Sequence, residues 1–325
     1  MGARARPFGI AALLLATSAW GSLFFVGKPV LGHINPVWFT FIRYTLASLG
    51  FAALLLARGR FPWAQLRAHA PRLAALGLVG YGVFGVLVLV GLLHSVPSHG
   101  AVIMATMPIT TQLVRWAADG LKPGRAALLG TALALLGVAM VSGVFLAPEA
   151  GATSTLAGDA TALLGTLGWI VYTRGSASLP GLDVLEYSGL TALASWPLLL
   201  LGALAGAVTG WAPLPAAADI GVSWHALLYI GAIPSVLAVL AYNFGIRTLG
   251  VVTGTAFLNF VPVSALLMGT ALGTRPAAHE LLGVAMVISA LLIHTLAQQR
   301  ATRGAAAAPA WPAPRLQPCA SVDGR

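Results

Sequence analysis

A duplication is indicated by the stretch Gly77–Pro108, GLVGYGVFGVLVLVGLLHSVPSHGAVIMATMP. Glycines and a proline of this stretch recur in Gly231–Pro262. Four positions return 154 residues later: Gly77, Gly91, Gly100 and Pro108 correspond to Gly231, Gly245, Gly254 and Pro262. The tripeptide Leu128-Leu129-Gly130 also recurs, one residue short of that offset, as Leu281-Leu282-Gly283. We infer from these matches that the chain consists of two related halves.

The composition is that of a membrane protein. Hydrophobic residues make up 58% of the chain and charged residues 8%, and the mean hydropathy is +0.88. A net charge of +10 would suggest a nucleic-acid partner in a soluble protein. Here the basic residues lie in short segments between apolar stretches, so we expect no nucleic acid and a lipid bilayer instead. The one cysteine, Cys319, allows no intramolecular disulfide and no cysteine metal cluster, and we expect no cofactor.

Apolar stretches of about 20 residues predict membrane-spanning helices, since a helix rises about 1.5 Å per residue. We predict an all-α membrane protein with ten transmembrane helices, and no segment has the pattern of a strand. The predicted spans are Phe8–Val30, Pro36–Ala57, Leu73–Leu93, Ser98–Trp116, Ala126–Leu146, Gly158–Thr173, Leu185–Ala207, His225–Arg247, Val252–Leu272 and Leu281–Leu296. Five spans per half is an odd number, so the second half enters the membrane from the opposite side. Such inverted repeats are typical of carriers.

The two five-helix repeats are predicted at residues 8–146 and 158–296. Residues 297–325, rich in Ala, Pro and Arg, are predicted to form a disordered basic tail. Of the 18 Lys and Arg residues, Lys28 and Arg275 lie on one side of the predicted spans, Arg43 lies within a span, and all the others lie on the opposite side. Cytoplasmic segments carry an excess of Lys and Arg, so that opposite side is predicted to be cytoplasmic. This distribution predicts a protein of the inner cell membrane with both termini in the cytoplasm.

Short motifs in both halves resemble those of EamA-type members of the drug/metabolite transporter superfamily, over about Phe8 to Leu296. The motifs are Trp20-Gly21-Ser22 followed by Phe24 and Lys28, Pro36 with Arg43-Tyr44, Met107-Pro108, Gly158-Asp159 with Trp169 and Arg174, Phe260-Val261-Pro262 and Leu272-Gly273. The chain departs from the family pattern at Thr274, at Asp119-Gly120 and in the short spacing from Trp169 to Arg174. The resemblance implies a ten-helix inverted-repeat carrier of small metabolites, often amino acids, commonly moving them outward.

Arg43 is the clearest candidate for substrate binding. It lies about two turns into the second predicted span, where an unpaired charge costs about 2.5–3.5 kcal/mol. It could face a central cavity and hold a carboxylate with two parallel hydrogen bonds. It could equally be a structural arginine that binds helix-end carbonyls or extends to the membrane surface. No Asp or Glu lies at the middle of a predicted span, which disfavours an antiporter of lipophilic cations.

Aromatic and amide side chains within the predicted spans are the other candidates, because a binding site needs a few polar groups in an apolar hollow. The full set of predicted substrate-binding residues is Trp20, Arg43, Tyr44, Tyr81, Gln112, Trp169, Tyr172, Asn243 and Asn259. Ordinary hydrogen bonding between helices would explain each of them equally well. Pro108 and Pro262 bend helices at matching positions and are either gates or fixed kinks.

The sequence leaves several functions open. We predict a carrier that exports small metabolites, such as amino acids or related compounds, by alternating access, and not an enzyme. A multidrug exporter or another solute exporter of the same superfamily is the first alternative. The second is a membrane enzyme acting on lipid, for which His279-Glu280 is an incomplete metal motif. A homodimer is also left open.

Overall fold

The computed structural model describes residues 5–94, 103–104, 107–141, 152–271 and 277–307, and all regular structure within them is helical. The α-helices are α1 (Arg6–Leu31), α2 (Pro36–Ala57), α3 (Trp63–Gly77), α4 (Phe84–Leu93), α5 (Met107–Asp119), α6 (Arg125–Val141), α7 (Ala152–Gly175), α8 (Val184–Val208), α9 (Ala217–Ala232), α10 (Ala238–Leu249), α11 (Val251–Ala256), α12 (Phe260–Ala271) and α13 (Ala278–Ala307). Short 3₁₀ turns lie at Ser176–Ser178 and Phe257–Asn259.

Four helical stretches are long and apolar enough to cross a membrane by themselves: Pro36–Ala57, Trp63–Gly91, Val184–Val208 and Ala217–Leu249. Three shorter apolar helices accompany them: Arg125–Gly137, Val251–Ser264 and Leu281–Ala290. The predicted helical membrane fold is therefore confirmed for the described residues, while the count of ten spans stays a prediction. Parts of the predicted fourth, fifth and ninth spans lie outside the described residues.

Capping residues fix where α2 and α8 begin. The Asn35 side chain accepts a hydrogen bond from the backbone of Val37 at 2.9 Å, and Pro36 occupies the first helical position of α2. Asp183 and Glu186 form a reciprocal capping box at the start of α8, with both bonds at 2.9 Å. Because these caps are formed by residues next to each helix start, the predicted and observed starts of α2 and α8 agree within one residue.

Several helices extend beyond the predicted spans. Helix α3 begins at Trp63 instead of Leu73, and α9 begins at Ala217 instead of His225. Hydropathy detects the apolar part of a helix and misses polar turns at its ends. Helix α13 likewise continues past Leu296 to Ala307, so it includes the first part of the predicted disordered tail. An Ala-rich run favours the helix there, and residues 308–325 lie outside the described residues.

Two π-helical turns interrupt long helices. The first, Leu78–Val83, joins α3 to α4, and the second, Ile233–Leu237, joins α9 to α10. Their starts are separated by the 154-residue repeat offset to within one residue. A π turn shifts the hydrogen-bond ladder and releases carbonyl groups for side chains to bind. The apolar runs around both turns gave no sequence sign of them.

The helices of one half pack mainly against helices of the other. Helix α1 packs against α10, and α4 packs against α7; α2 meets α8, and α6 meets α13. A Cβ atom on Gly91 would lie 2.8 Å from the carbonyl oxygen of Gly158, and one on Gly245 would lie 3.1 Å from that of Gly9. Only glycine allows these close helix crossings. Gly9 and Gly158 occupy equivalent positions in these two crossings. They are 149 residues apart, the same offset that separates Trp20 from Trp169.

Candidate substrate-binding site

Five aromatic side chains meet where α1, α7, α10 and the first π turn cross, and we call them the aromatic cluster: Trp20, Tyr81, Trp169, Tyr172 and Tyr242. The rings of Trp20 and Trp169 meet edge to face at 5.2 Å, and Tyr242 lies 4.9 Å from Trp20 and 5.7 Å from Trp169. Tyr172 lies 5.1 Å from Trp169 and 4.8 Å from Tyr81. Four of the predicted site residues are thus brought together from both halves.

The two tryptophans of the cluster differ in their hydrogen bonding. The indole N–H of Trp20 donates to the carbonyl of Pro234 at 2.8 Å, a carbonyl that belongs to the second π turn. The indole N–H of Trp169 is buried beside the Tyr242 hydroxyl, with which it interacts, and neither group has another partner among the described residues. The repeat-related positions therefore serve different purposes: Trp20 binds a carbonyl of a π turn, and Trp169 interacts with Tyr242 within the cluster.

Tyr81, Tyr172 and Asn243 belong to a hydrogen-bonded network. The Tyr81 hydroxyl donates to that of Tyr172 at 2.7 Å, and the Asn243 amide donates to the Tyr172 hydroxyl at 2.9 Å and to Ser188 at 2.8 Å. The hydroxyl of Tyr187 also binds the carbonyl of Tyr172. A network whose members satisfy one another holds helices together, and it explains these residues by structure.

Arg43 is buried, with 6% of its surface exposed, and it does not extend to the membrane surface. Its Nε donates to the Ser235 hydroxyl at 2.6 Å, and Ser235 in turn donates to the carbonyl of Ile230 at 2.7 Å. The guanidinium carbon lies 5.0 Å from the ring centre of Tyr44, and that ring stacks on Tyr81 at 4.6 Å. The described residues give Arg43 no carboxylate partner, so its charge is available to an anionic group.

The two remaining predicted residues lie in different surroundings. The Gln112 amide donates to Thr131 at 3.1 Å and to the carbonyl of Pro108 at 3.2 Å, and neither bond reaches the aromatic cluster. Asn259 ends the 3₁₀ turn between α11 and α12, is fully buried, and has no described partner for its amide nitrogen or its amide oxygen. Asn259 is thus the more open of the two to a ligand.

One of the two predicted gating prolines, Pro262, follows an irregular helical turn. Pro262 is in the first turn of α12, directly after the 3₁₀ turn Phe257–Asn259, and it is buried. Pro108 is the second residue of α5 as described and is also buried, while residues 105 and 106 lie outside the described part. The irregular backbone before Pro262 fits the bend that its missing N–H predicts.

Several buried polar groups lack a partner among the described residues. The Tyr44 hydroxyl, which belongs to the ring stacked on Tyr81, is one of them, and others lie away from the aromatic cluster, such as the hydroxyls of Ser48 and Thr111. Leaving a buried donor or acceptor unsatisfied costs about 1–3 kcal/mol each. These atoms have no accessible surface in this conformation, so a ligand reaches them only after the surrounding helices separate. No group of His, Cys, Asp or Glu in the described part could hold a metal ion.

A rim of ion pairs joins the two halves at one end of the bundle. Arg174 at the end of α7 binds the Asp119 carboxylate at the end of α5 with two bonds, at 2.7 and 2.8 Å. Arg58 after α2 pairs with Asp183 before α8. The bonds from Arg174 lower the pKa of the Asp119 carboxyl below its ordinary value, and Asp119 raises the pKa of Arg174 in turn. At Asp183, burial raises the pKa of the carboxyl. Hydrogen bonds from the Glu186 backbone and the Arg58 side chain outweigh burial, so the pKa of Asp183 is lowered from its ordinary value.

Two residues at the site were missed by sequence reasoning: Ser188 and Ser235. A helical stripe of Ser188, Thr191 and Ser195 on α8 could have revealed the first serine, because these positions share one helix face. Ser235 follows Pro234 inside an apolar run, which is a weaker signal. Tyr242 is one of the aromatic residues that the sequence places within the spans, although it is not in the predicted set of binding residues.

Known proteins match nearly the whole described chain. The EamA-like transporter family matches residues 7–143 and 156–296. The chain is 27% identical to the "Uncharacterized transporter YrdR" of Bacillus subtilis over 90% of this chain and 92% of that protein. It is 27% identical to the "Probable terminal-alkyne amino-acid exporter" of Streptantibioticus cattleyicolor over 89% of this chain and 95% of that protein. It is 28% identical to the "Uncharacterized inner membrane transporter YedA" of Escherichia coli over 85% and 87% of the two chains.

A solved structure, titled only as the crystal structure of a protein, shares the fold. It superposes with a TM-score of 0.72 at 20% identity, over 93% of this chain and 99% of the other. The apolar helical fold and the matches together define a membrane transporter. The chain belongs to the EamA-like transporter family, and the two matched segments are its two family repeats.

Proposed function

We propose that the protein is a carrier that exports small metabolites across the inner cell membrane by alternating access. The observation that supports this most is the buried Arg43, whose charge has no carboxylate partner among the described residues. The Tyr44 hydroxyl beside it also lacks a described partner, and Trp169 and Tyr242 interact only with each other. A site built this way favours a cargo that offers acceptor oxygens.

The proposed architecture is ten transmembrane helices in two inverted five-helix repeats, residues 8–146 and 158–296, with both termini in the cytoplasm. The reciprocal packing supports it, since α1 meets α10 as α4 meets α7. The π turns recur at the repeat offset. Two copies that rock about an axis in the membrane plane would open the site to each side alternately, with Pro108 and Pro262 as bending points.

For the cargo we propose an amino acid or a related compound. Arg43 would bind its carboxylate, and Trp20 and Trp169 would line the apolar part of the site. Tyr81, Tyr172 and Asn243 would shape the site through their hydrogen bonds, Asn259 would contact the cargo, and Gln112 would hold α5 to α6. The Streptantibioticus relative carries the name of an amino-acid exporter, which agrees with this choice.

The strongest alternative is an exporter of other solutes, including drugs. A carrier of lipophilic cations needs an acidic group deep in the membrane. Among the described residues, the Asp and Glu side chains with observed contacts lie at helix ends, such as Asp119 and Asp183. This distribution favours the metabolite carrier, and we propose no enzymatic activity.

The proposal is tested by counterflow in liposomes. The purified protein is first screened for thermal stabilisation by a panel of metabolites, and a hit is then loaded inside liposomes. A carrier accelerates the uptake of labelled substrate when unlabelled substrate is present inside, whereas a channel does not. We expect Arg43→Ala to abolish both stabilisation and counterflow, and Arg67→Ala, an exposed arginine of α3, to preserve them. Undiminished binding by folded Arg43→Ala would contradict the carboxylate role.

A further inference from the structure

Three hydroxyl side chains recur at every fourth residue of helix α2, and we call them the hydroxyl stripe: Thr40, Tyr44 and Ser48. Residues four apart lie on the same face of an α-helix, so the stripe advances in steps of about 6 Å along the helix. The three residues are 2%, 1% and 4% exposed, and none of their hydroxyl oxygens has a hydrogen-bond partner among the described residues. Helix α2 thus carries a buried row of unsatisfied polar groups.

The stripe contrasts with a neighbouring hydroxyl of the same helix. Thr45, one residue beyond Tyr44, donates to the carbonyl of Phe41 at 2.8 Å and accepts a hydrogen bond from the indole of Trp196 at 2.9 Å. Each hydroxyl of the stripe, left unsatisfied, costs about 1–3 kcal/mol in this conformation. Three such costs on one helix face are explained if a second conformation supplies the missing partners.

The first π turn and the start of α4 cover the first two residues of the stripe. A Cβ atom on Gly85 would lie 3.3 Å from the Thr40 hydroxyl oxygen, and the ring of Tyr81 stacks on that of Tyr44 at 4.6 Å. Neither of these two hydroxyls bonds to the segment that covers it. The seam between α2 and this segment can therefore open without the loss of a hydrogen bond from the stripe. A π turn is also a rare helical variant that is frequent at functional sites.

Arg43 lies beside the middle of the stripe. Its guanidinium carbon is 5.0 Å from the ring centre of Tyr44, and its Nε donates to Ser235 of the second π turn. The two terminal nitrogens of Arg43 have no hydrogen-bond partner among the described residues. Thr40 lies about one turn before the arginine, and Ser48 lies about one turn beyond it. The stripe therefore extends to both sides of a cation that can bind an anionic group.

We propose that the hydroxyl stripe lines the path that the cargo takes along α2, an inference that rests on the proposed carrier function. When α2 and the first π turn separate, the carboxylate of the cargo binds Arg43, and Thr40, Tyr44 and Ser48 bind its other polar groups. A hydroxyl can both donate and accept, so the stripe suits a small acid that also carries amine, amide or hydroxyl groups. Hydrogen bonds to water or cargo then offset part of the cost of separating the two segments.

The opening of the seam is tested without a cargo. Thr40→Cys and Ser48→Cys are made as single-cysteine variants of the full chain with Cys319→Ser. Permeabilised membranes are treated with 2-sulfonatoethyl methanethiosulfonate, an anionic reagent that modifies thiols in contact with water. Ala47→Cys is the matched control, since Ala47 is 0% exposed and adjoins Ser48 on another face of α2.

Intact-mass spectrometry measures the rates of modification. We expect the two stripe cysteines to react at least about tenfold faster than the control, because a minor conformation populated at about 0.1–10% exposes the stripe and leaves Ala47 buried. A rate at either stripe position that is no faster than the rate at Ala47→Cys would overturn the proposal.

The role of the hydroxyls is tested with variants that delete them. Thr40→Val and Ser48→Ala remove groups without a described partner, so they should keep Tm and slow counterflow about fivefold, the loss expected for one hydrogen bond to the cargo. Thr45→Val is the control: it removes the partner of Trp196, so it should lower Tm and leave counterflow unchanged. A lowered Tm or unchanged counterflow in Thr40→Val and Ser48→Ala would overturn the proposal. Failed labelling with intact wild-type counterflow overturns the path alone, whereas absent wild-type counterflow overturns the carrier function as well.

Discussion

At the residue scale, the informative contrast is between polar groups that are satisfied and those that are not. Most of the residues that sequence reasoning selected are buried, but the sequence could not separate satisfied from unsatisfied groups, because hydrogen-bond partners come from distant helices. Asn243 reaches Tyr172 and Ser188, whereas Asn259 reaches no described residue. The two amides have the same chemistry and lie in similar apolar runs, so only the fold distinguishes a structural amide from an available one.

The tryptophan pair gives a prediction at this scale. Trp20→Phe should lower stability by about 1–2 kcal/mol, because it leaves the Pro234 carbonyl without its donor. Trp169→Phe removes a donor whose described neighbour is the Tyr242 hydroxyl, a group with no hydrogen bond of normal geometry, so it should cost less stability than Trp20→Phe and weaken substrate binding. Thermal unfolding and substrate-induced stabilisation of both variants measure this. Equal losses of stability would show that the two indoles have the same role.

The amide pair gives a second prediction. Asn259→Leu replaces an unsatisfied buried amide with an apolar side chain of similar volume, so it should keep or raise Tm and reduce counterflow. Asn243→Leu leaves Tyr172 and Ser188 without a shared partner and should cost about 1–3 kcal/mol. Unfolding curves of the two variants decide the matter. A strongly destabilised Asn259→Leu would mean that this amide is structural.

At the element scale, the sequence predicted helices well and their irregularities poorly. The bounds of α2 were predicted as observed, since Asn35-Pro36 starts the helix and Gly59, with φ of 76°, follows its end. The π turns were not predicted, because every position around them is apolar or small. In such a run, a change from α-helical to π-helical hydrogen bonding produces no recognisable sequence pattern. The second of these turns supplies both the carbonyl that accepts from Trp20 and the serine that accepts from Arg43.

The ion-pair rim gives a prediction about pH. The pKa of Asp119 is lowered in the folded protein, so its pair with Arg174 contributes above the ordinary Asp value, about 3.9, and is lost as pH falls through the folded pKa. The Tm difference between wild type and Asp119→Asn should therefore be constant between about pH 5 and 8 and disappear at acid pH, once the pH has fallen through the lowered pKa of the folded protein. The contribution is small because the pair is at the surface. A difference that grows at acid pH would contradict the assignment.

At the scale of the whole molecule, two family repeats pack reciprocally, and the aromatic cluster contains residues from both. The rim pairs join α5 to α7 and α2 to α8, so each pair connects one half to the other at the same end of the bundle. If one half is inverted relative to the other, these connections close one face of a carrier while the opposite face controls access. Alternating access therefore depends on the inversion of one repeat relative to the other.

Accessibility labelling tests the inversion most directly. The connections after α2 and after α8 are equivalent in the two repeats, each with a glycine at positive φ, Gly59 at 76° and Gly210 at 75°. Single cysteines replace the exposed residues Arg60 and Leu214 in a Cys319→Ser background, and intact cells are treated with a membrane-impermeant maleimide. We expect Leu214→Cys to be labelled in intact cells and Arg60→Cys only after permeabilisation. Labelling of both cysteines from the same side would contradict the inverted repeat and the carrier mechanism built on it.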